Sequence, residues 1–304
     1  MKKITISTTS FGEYDRSYIK KCEDLGFEVV LNQSGRKVKS DELVKLAGGA
    51  VGLIAGTEEL NSEVLSKLPD LKVISRCGAG LENVDLNAAK RFGIKVFNTP
   101  DAPTLSVAEL TIGLMLNLLR KINIMERDVK SGIWKKLMGS LLAGKNVGII
   151  GFGRIGKRTA ELLINLNCRV AYYDPCVENQ AAGFRKSRLD ELLKWADIVS
   201  IHAATKEKLL GRKELSMMKR GSFLVNVSRG EVIDEDALYE SLKDGHLSGA
   251  ALDVFSEEPY DGALKKLDNV ILTPHIGSYS KEARINMERD AVDNLLKGLK
   301  KGTE

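Results

Sequence analysis

The sequence predicts an α/β protein built from two parallel sheets. Three observations predict it. Short β-branched runs alternate with amphipathic helical stretches along the whole chain. Glycine stands where successive helices should end, as a left-handed C-cap demands. One proline-bearing segment, residues 99–109, interrupts the alternation. A chain of 304 residues is long for one core and suits two of roughly 100–200 residues each.

In the first third, residues 4–8, 27–31, 51–55, 73–76 and 95–97 read as strands, from their Val, Ile and Leu content. Helical spacing of apolar residues lies between them, near 15–25, 41–46, 62–68 and 86–92, with Gly26, Gly48, Gly49 and Gly93 behind. A long helix is expected from Ser106 to about Lys130. A second series follows, with strands at 147–151, 170–174, 198–202, 223–227, 250–254 and 270–273, and a last helix at 281–300. No internal repeat is present. Ligands of open parallel sheets sit at the carboxyl ends of the strands, so two such sheets facing each other would form a cleft.

Composition narrows the function classes. Hydrophobic residues make up 43% and charged residues 29%, enough to bury sizeable cores in a water-soluble chain. The net charge of +5 is scattered; it suits a small anionic substrate and argues against nucleic acid. Cys22, Cys77, Cys168 and Cys176 show neither disulfide nor zinc spacing, so reduced thiols and no metal are expected. Met1-Lys2-Lys3-Ile4-Thr5-Ile6 reads as a first strand, not a signal peptide. The most apolar stretch, 110–124, is interrupted by Asn117, Arg120 and Lys121 and is too polar to span a bilayer. The expectation is a cytoplasmic protein with no membrane partner.

Val147-Gly148-Ile149-Ile150-Gly151-Phe152-Gly153-Arg154-Ile155-Gly156 is a buried strand running into G-x-G-x-x-G. A helical pattern follows, then a second strand ending in Asp174. Gly151 permits the tight turn, Gly153 lets backbone approach a pyrophosphate, and Gly156 lets helix and strand pack closely. The helix N-terminus at Arg154 and Ile155 offers N–H groups to phosphates. Asp174 accepts hydrogen bonds from a ribose diol and repels a 2′-phosphate, which favours NAD over NADP.

Three further residues follow later strands of the same series: Arg229 in Asn-Val-Ser-Arg-Gly, Glu258 in Asp-Val-Phe-Ser-Glu-Glu-Pro beside Glu257, and His275 in Thr-Pro-His-Ile-Gly. Hydride transfer from a 2-hydroxy acid needs a base for the hydroxyl proton, a carboxylate that orients that base, and a guanidinium for the substrate carboxylate. His275, Glu258 and Arg229 supply that set. His202 and His246 read as structural.

Together these segments resemble the D-isomer-specific 2-hydroxyacid dehydrogenase family over nearly the whole chain. They are 136–156, Val225-Asn226-Val227-Ser228-Arg229-Gly230, Asp253-Val254-Phe255-Ser256-Glu257-Glu258-Pro259 and Thr273-Pro274-His275-Ile276-Gly277-Ser278. The resemblance implies a flavodoxin-like substrate domain of residues 1–98 plus 279–304 and a Rossmann-like NAD-binding domain of residues 99–278, separated by a cleft that closes during hydride transfer. It implies His275 as acid/base, Glu258 as its partner and Arg229 as substrate anchor. Thr205, Val227, Ser228, Asp253 and Gly277 join the glycine loop, Asp174, Arg229 and His275 as cofactor contacts. Cys77, Gly78, Ala79 and Gly80 are implied as the substrate loop, which agrees with the anion-binding nest that successive glycines make. A homodimer through the cofactor domain, involving the long helix after Ser106, is also implied.

The similarity is closest to short phosphoglycerate dehydrogenases, which makes 3-phosphoglycerate the first substrate expectation; the alternative is a glyoxylate or hydroxypyruvate reductase. The loop Ala55-Gly56-Thr57-Glu58-Glu59 lacks the basic residue of phosphate-binding members, and its glutamates would repel a phosphate if they point inward. Lys135 and Lys136 offer compensating charge. A reading of another class is an NAD(H)-sensing, corepressor-like binding protein on the same fold.

Overall fold

The computed structural model describes residues 1–177 and 183–300. In chain order the elements are β1 (Lys2–Ile6), α1 (Ser17–Asp24), β2 (Phe27–Leu31), α2 (Ser40–Ala47), β3 (Ala50–Ala55), α3 (Ser62–Ser66), β4 (Val73–Arg76), α4 (Leu86–Arg91) and β5 (Lys95–Asn98). Then come α5 (Thr104–Arg120), α6 (Ile122–Lys130), β6 (Asn146–Ile150), α7 (Arg154–Asn165), β7 (Arg169–Tyr173), β8 (Arg185–Lys186), α8 (Leu189–Trp195), β9 (Ile198–Ile201) and α9 (Arg212–Met217). The chain continues with β10 (Ser222–Asn226), α10 (Glu235–Lys243), β11 (Leu247–Leu252), β12 (Val270–Leu272) and α11 (Lys281–Lys300).

The chain divides into two compact units, Met1–Pro103 with Ser278–Glu304, and Thr104–Gly277. The sequence put the first crossing after residue 98. It falls later because Thr99 is stitched to the first unit, its N–H on the Gly78 carbonyl at 2.9 Å and its hydroxyl accepting the Gly78 N–H at 2.8 Å. Residues 301–304 of the expected substrate domain lie outside the described residues.

The first unit is a parallel sheet of order β2-β1-β3-β4-β5, the flavodoxin order. Period-two alternation sends Ile54 and Val73 to one face and Leu53 and Ile74 to the other. On the first face α11 lays Met287, Ala291, Val292, Leu295 and Leu296 against Ile4 and Ile6, each fully buried apolar side chain contributing about 1.5–3 kcal/mol. Gly298 lets this helix sit close, since a Cβ there would lie 2.8 Å from the Phe97 ring. The helix also buries Glu288, whose carboxylate takes Arg284 Nε at 2.7 Å and the Gly12 N–H at 3.0 Å. Burial raises the Glu288 pKa above the usual carboxylate value.

The second unit is a seven-stranded parallel sheet of order β12-β11-β10-β9-β6-β7-β8. Numbered within the unit, that is the doubly wound order 3-2-1-4-5-6 with one further strand. Its two faces are covered by separate cores, one with Val147, Ile149 and Val225, the other with Ile150, Val199 and Leu224. β8, two residues long, was not anticipated.

The single helix expected from Ser106 to Lys130 is a correction. Lys121 takes a left-handed conformation, φ 54°, and splits it into α5 and α6. Asn117 Oδ1 accepts the Asn123 N–H across the break at 2.9 Å. α5 buries Leu114, Met115, Leu118 and Leu119, whereas α6 buries nothing, so no core contact holds the two collinear. Among the described residues no helix is long and apolar enough to cross a membrane.

Candidate functional site

Every strand pairing in the second unit is parallel, so the strand ends carrying the chemistry-bearing residues share one edge. At the end of β6 the three glycines stand in different surroundings. Gly151 has φ 88°, and a Cβ there would lie 2.6 Å from the Ala203 nitrogen. Gly153 caps α7, and nothing lies within 4 Å of where its Cβ would be. A Cβ on Gly156 would stand 2.1 Å from the Gly151 carbonyl oxygen. The loop is therefore closed on its packed side and open where Gly153, Arg154 and Ile155 begin the helix, a seat that fits a dinucleotide pyrophosphate.

Asp174 follows β7. Its Oδ2 accepts the Phe152 N–H at 2.7 Å and its Oδ1 the Cys176 N–H at 2.8 Å. These bonds fix the carboxylate beside the glycine loop and leave each oxygen a lone pair for a ribose hydroxyl. Thr205 stands in the loop after β9, its hydroxyl accepting the Glu207 N–H at 3.0 Å. His202 on the same strand end is bonded to Ser200 Oγ at 2.9 Å, and burial pushes its imidazole down to about 3.

At the end of β10, Asn226 does work that sequence reasoning missed. Its Oδ1 accepts both the Ser228 N–H, at 3.1 Å, and the Ser228 hydroxyl, at 2.8 Å, while its Nδ2 donates to the Arg229 carbonyl at 2.8 Å. The half-buried Arg229 donates from Nη1 to the Ser228 carbonyl at 2.7 Å. Gly230 brings this loop onto the next, since a Cβ there would lie 1.8 Å from the Phe255 carbonyl carbon.

The loop after β11 holds Asp253 and Glu258. Glu258 Oε1 accepts the Phe255 N–H at 3.1 Å, and Oε2 faces His275 Nδ1 at 3.0 Å. This separates it from Glu257, which has no such bond to the histidine. Asp253 is buried and gathers the turn after β12: Oδ1 takes the Thr273 hydroxyl at 2.6 Å and the Ile276 N–H at 2.9 Å, and Oδ2 takes the Gly277 N–H at 2.8 Å. His275 stands inside that turn with φ 53°, a left-handed conformation that costs a non-glycine residue roughly 1 kcal/mol. Glu258, Asp253 and His275 thus form one bonded constellation, and the Gly230 contact places the Arg229 loop beside it.

In the first unit the expected substrate loop follows β4. Two of its backbone N–H groups already have partners within the chain. The Cys77 N–H is spent on the Ala55 carbonyl at 2.8 Å, and its thiol is buried, which pushes the pKa up to about 11. The Gly78 N–H is spent on Thr99 Oγ1, with φ 146° turning it inward beneath the Arg76 guanidinium. Ala79 is exposed and Gly80 half-buried, with Asn98 Nδ2 donating to the Ala79 carbonyl at 2.6 Å. Lys135 and Lys136 belong to the second unit and are exposed. Among the described residues no cluster of His, Cys, Asp and Glu could hold a metal.

Residues 112–277 match the family model described as D-isomer specific 2-hydroxyacid dehydrogenase, NAD binding domain. The chain belongs to that family. Its second unit carries the family's NAD-binding domain. A D-3-phosphoglycerate dehydrogenase of Archaeoglobus fulgidus is 41% identical over 260 residues, covering 81% of this chain and 49% of the relative. A hydroxypyruvate reductase of Thermotoga maritima is 36% identical over 279 residues, covering 88% of this chain and 91% of the relative. A crystal structure of a Thermus thermophilus protein superposes with a TM-score of 0.92 at 35% identity, covering 98% of this chain and 97% of that one. The chain spans about half the length of the phosphoglycerate dehydrogenases it matches.

Proposed function

We propose that the protein transfers a hydride between NAD(H) and C2 of a small D-2-hydroxy acid or its 2-keto partner. The observation that carries this reading is the Glu258–His275 pair at 3.0 Å, set in a turn that Asp253 organises at the edge of an NAD-binding sheet. With His275 Nδ1–H donating to Glu258, the tautomer is fixed and Nε2 is the nitrogen left to exchange a proton. In hydroxy-acid oxidation Nε2 takes the hydroxyl proton, and Glu258 stabilises the resulting imidazolium; in reduction the proton returns to the C2 oxygen. Arg229 holds the substrate carboxylate and polarises the C2 oxygen through its fixed fork of donors.

When bound there, the nicotinamide cofactor would supply the hydride acceptor for oxidation and, in its reduced form, the hydride donor for reduction. Gly151, Gly153, Arg154, Ile155 and Gly156 would hold its pyrophosphate and Asp174 its ribose diol. Thr205, Val227, Ser228, Asp253 and Gly277 line the remainder of that strand edge. The first unit is, in this reading, the substrate domain, its loop at Ala79 and Gly80 offering backbone to an anion.

The assembly we infer is a homodimer through the second unit in the cytoplasm. Trp134, Met138 and Leu141 are 84%, 89% and 71% exposed, on a segment following the wholly unburied helix α6. Such an apolar stretch suits a second copy of the same surface.

The test is NADH consumption with 3-phosphohydroxypyruvate, hydroxypyruvate, glyoxylate and pyruvate. Turnover with at least one is expected. His275→Ala should lose about 10²–10⁴-fold in rate with NADH affinity retained. NADH binding without turnover of any of them would replace this reading with that of a nucleotide-sensing binding protein.

A further inference from the structure

We propose that Glu58 is a built-in anion that excludes a phosphorylated tail and restricts the substrate to 2-keto and 2-hydroxy monocarboxylates with an uncharged side chain. This rests on the dehydrogenase reading above and deepens it.

β1, β3 and β4 are parallel neighbours, so the residues after them share one edge of the first sheet. The loop after β3 is laced to the loop after β4. Asn83 Nδ2 donates to the Gly56 carbonyl at 3.2 Å and to the Glu58 carbonyl at 2.7 Å, and the Leu60 N–H meets the Asn83 carbonyl at 2.8 Å. With the Cys77 N–H also on the Ala55 carbonyl at 2.8 Å, residues 56–58 run beside the loop that carries Ala79 and Gly80.

Glu58 is only 2% exposed although it carries a carboxylate in a loop, while Glu59 beside it is exposed. Both of its oxygens accept the Gly56 N–H, at 3.0 and 3.1 Å, and Oε1 also accepts the Ser7 hydroxyl. A backbone N–H and a serine hydroxyl at the ends of parallel strands are the donors with which such sheets hold anionic ligands. Here the chain's own carboxylate takes them. Gly56 makes room for it: a Cβ at that position would lie 3.0 Å from Glu58 Oε2 and 3.2 Å from Thr8 Cβ.

Two cations stand at this edge, and each has partners of its own. Arg284 is committed to Glu288 at 2.7 Å and to Thr8 Oγ1 at 3.0 Å. Arg76 lies over the substrate loop, Nη1 donating to the Cys77 carbonyl at 3.0 Å. A phosphate added to the substrate would bring two more negative charges toward Glu58, and like charges at close quarters cost several kcal/mol of binding.

The experiment compares kcat/KM for hydroxypyruvate and 3-phosphohydroxypyruvate in the wild type, Glu58→Gln and Glu59→Gln, with thermal midpoints as a folding control. The wild type should prefer hydroxypyruvate by about 100-fold, the scale of such repulsion. Glu58→Gln should narrow that ratio at least roughly tenfold, chiefly through a lower KM for the phosphorylated acid. Glu59→Gln should leave it unchanged. A wild type that prefers the phosphorylated acid, or a Glu58→Gln ratio that moves no further than that of Glu59→Gln, overturns the proposal and leaves the dehydrogenase reading intact. Should Glu58→Gln not fold, the wild-type ratio decides alone, and a preference below about tenfold overturns the proposal. Failure to reduce any 2-keto acid while NADH binds is a different result, which removes the dehydrogenase reading and this proposal together.

Discussion

Replacing Asp253 by Asn tests whether the histidine is positioned by the turn that carries it. The carboxylate accepts three bonds, from Thr273 Oγ1, Ile276 N–H and Gly277 N–H. An amide oxygen can keep the first two, but the amide nitrogen then faces the Gly277 N–H, donor against donor. Leaving that buried N–H unsatisfied costs about 1–3 kcal/mol, and the two surviving bonds lose the strength that a charged acceptor gave them. The turn already holds His275 at φ 53°, so a relaxation of the backbone moves the ring away from Glu258. Displacement of a reacting group by about an ångström is worth roughly 10²-fold in rate. We therefore expect kcat to fall about 10–100-fold for Asp253→Asn, with KM changed far less and NADH still bound. The assay is steady-state reduction of the best 2-keto acid, with NADH affinity measured by fluorescence and stability by denaturant unfolding. A variant that keeps kcat within twofold while losing stability would show that Asp253 serves the fold alone, and the positioning argument would fail.

Three further predictions follow from separate contacts. Asp174→Ala removes the acceptor for the Phe152 and Cys176 N–H groups, so NAD should bind roughly tenfold or more weakly and discrimination against NADP should relax; an unchanged cofactor ratio would refute its role at the ribose. Arg284→Met strands Glu288 in the core and should destabilise the first unit by about 3–5 kcal/mol, whereas adding Glu288→Leu should restore most of the loss. Additive losses in urea unfolding would show that the pair is not coupled. His202 is kept neutral by burial, with its pKa lowered to about 3 from 6.5. The unfolded chain binds a proton there that the folded chain refuses, so stability is full above pH ~6.5 and falls as pH drops toward 3, at a slope approaching about 1.4 kcal/mol per pH unit. His202→Gln should flatten the unfolding free energy over that window relative to the wild type, and parallel curves would contradict the assignment.

Regular elements were legible because their signal is periodic. The glycine loop was legible for a sharper reason: Gly151 and Gly156 each meet a steric demand that no other residue type fits, with Gly153 standing open between them. His275 and Glu258 could be paired from sequence because two strand ends of one sheet bring them to the same edge. Asn226, Thr273 and Thr99 were not legible as site residues. A buried amide or hydroxyl that satisfies a neighbouring loop has no spacing of its own, and a polar residue ending an apolar strand was the only trace it left. Glu58 and Glu59 carry the same charge in adjacent positions, and which one turns inward depends on Ser7, 51 residues away. The break at Lys121 was hidden because Ile122, Ile124 and Met125 continue the apolar pattern, although α6 buries none of them.

The central claim is that hydride passes between the nicotinamide and C2 of a 2-keto acid under the control of His275. The most direct measurement uses NADH deuterated at the transferring position of nicotinamide C4, with hydroxypyruvate or glyoxylate, and product analysis by mass spectrometry and proton NMR. The account predicts one deuterium at C2 of the hydroxy acid, the D configuration where C2 is a stereocentre, and loss of nearly all transfer in His275→Ala. Absence of deuterium at C2 with the labelled NADH bound, or undiminished transfer in His275→Ala, would contradict it.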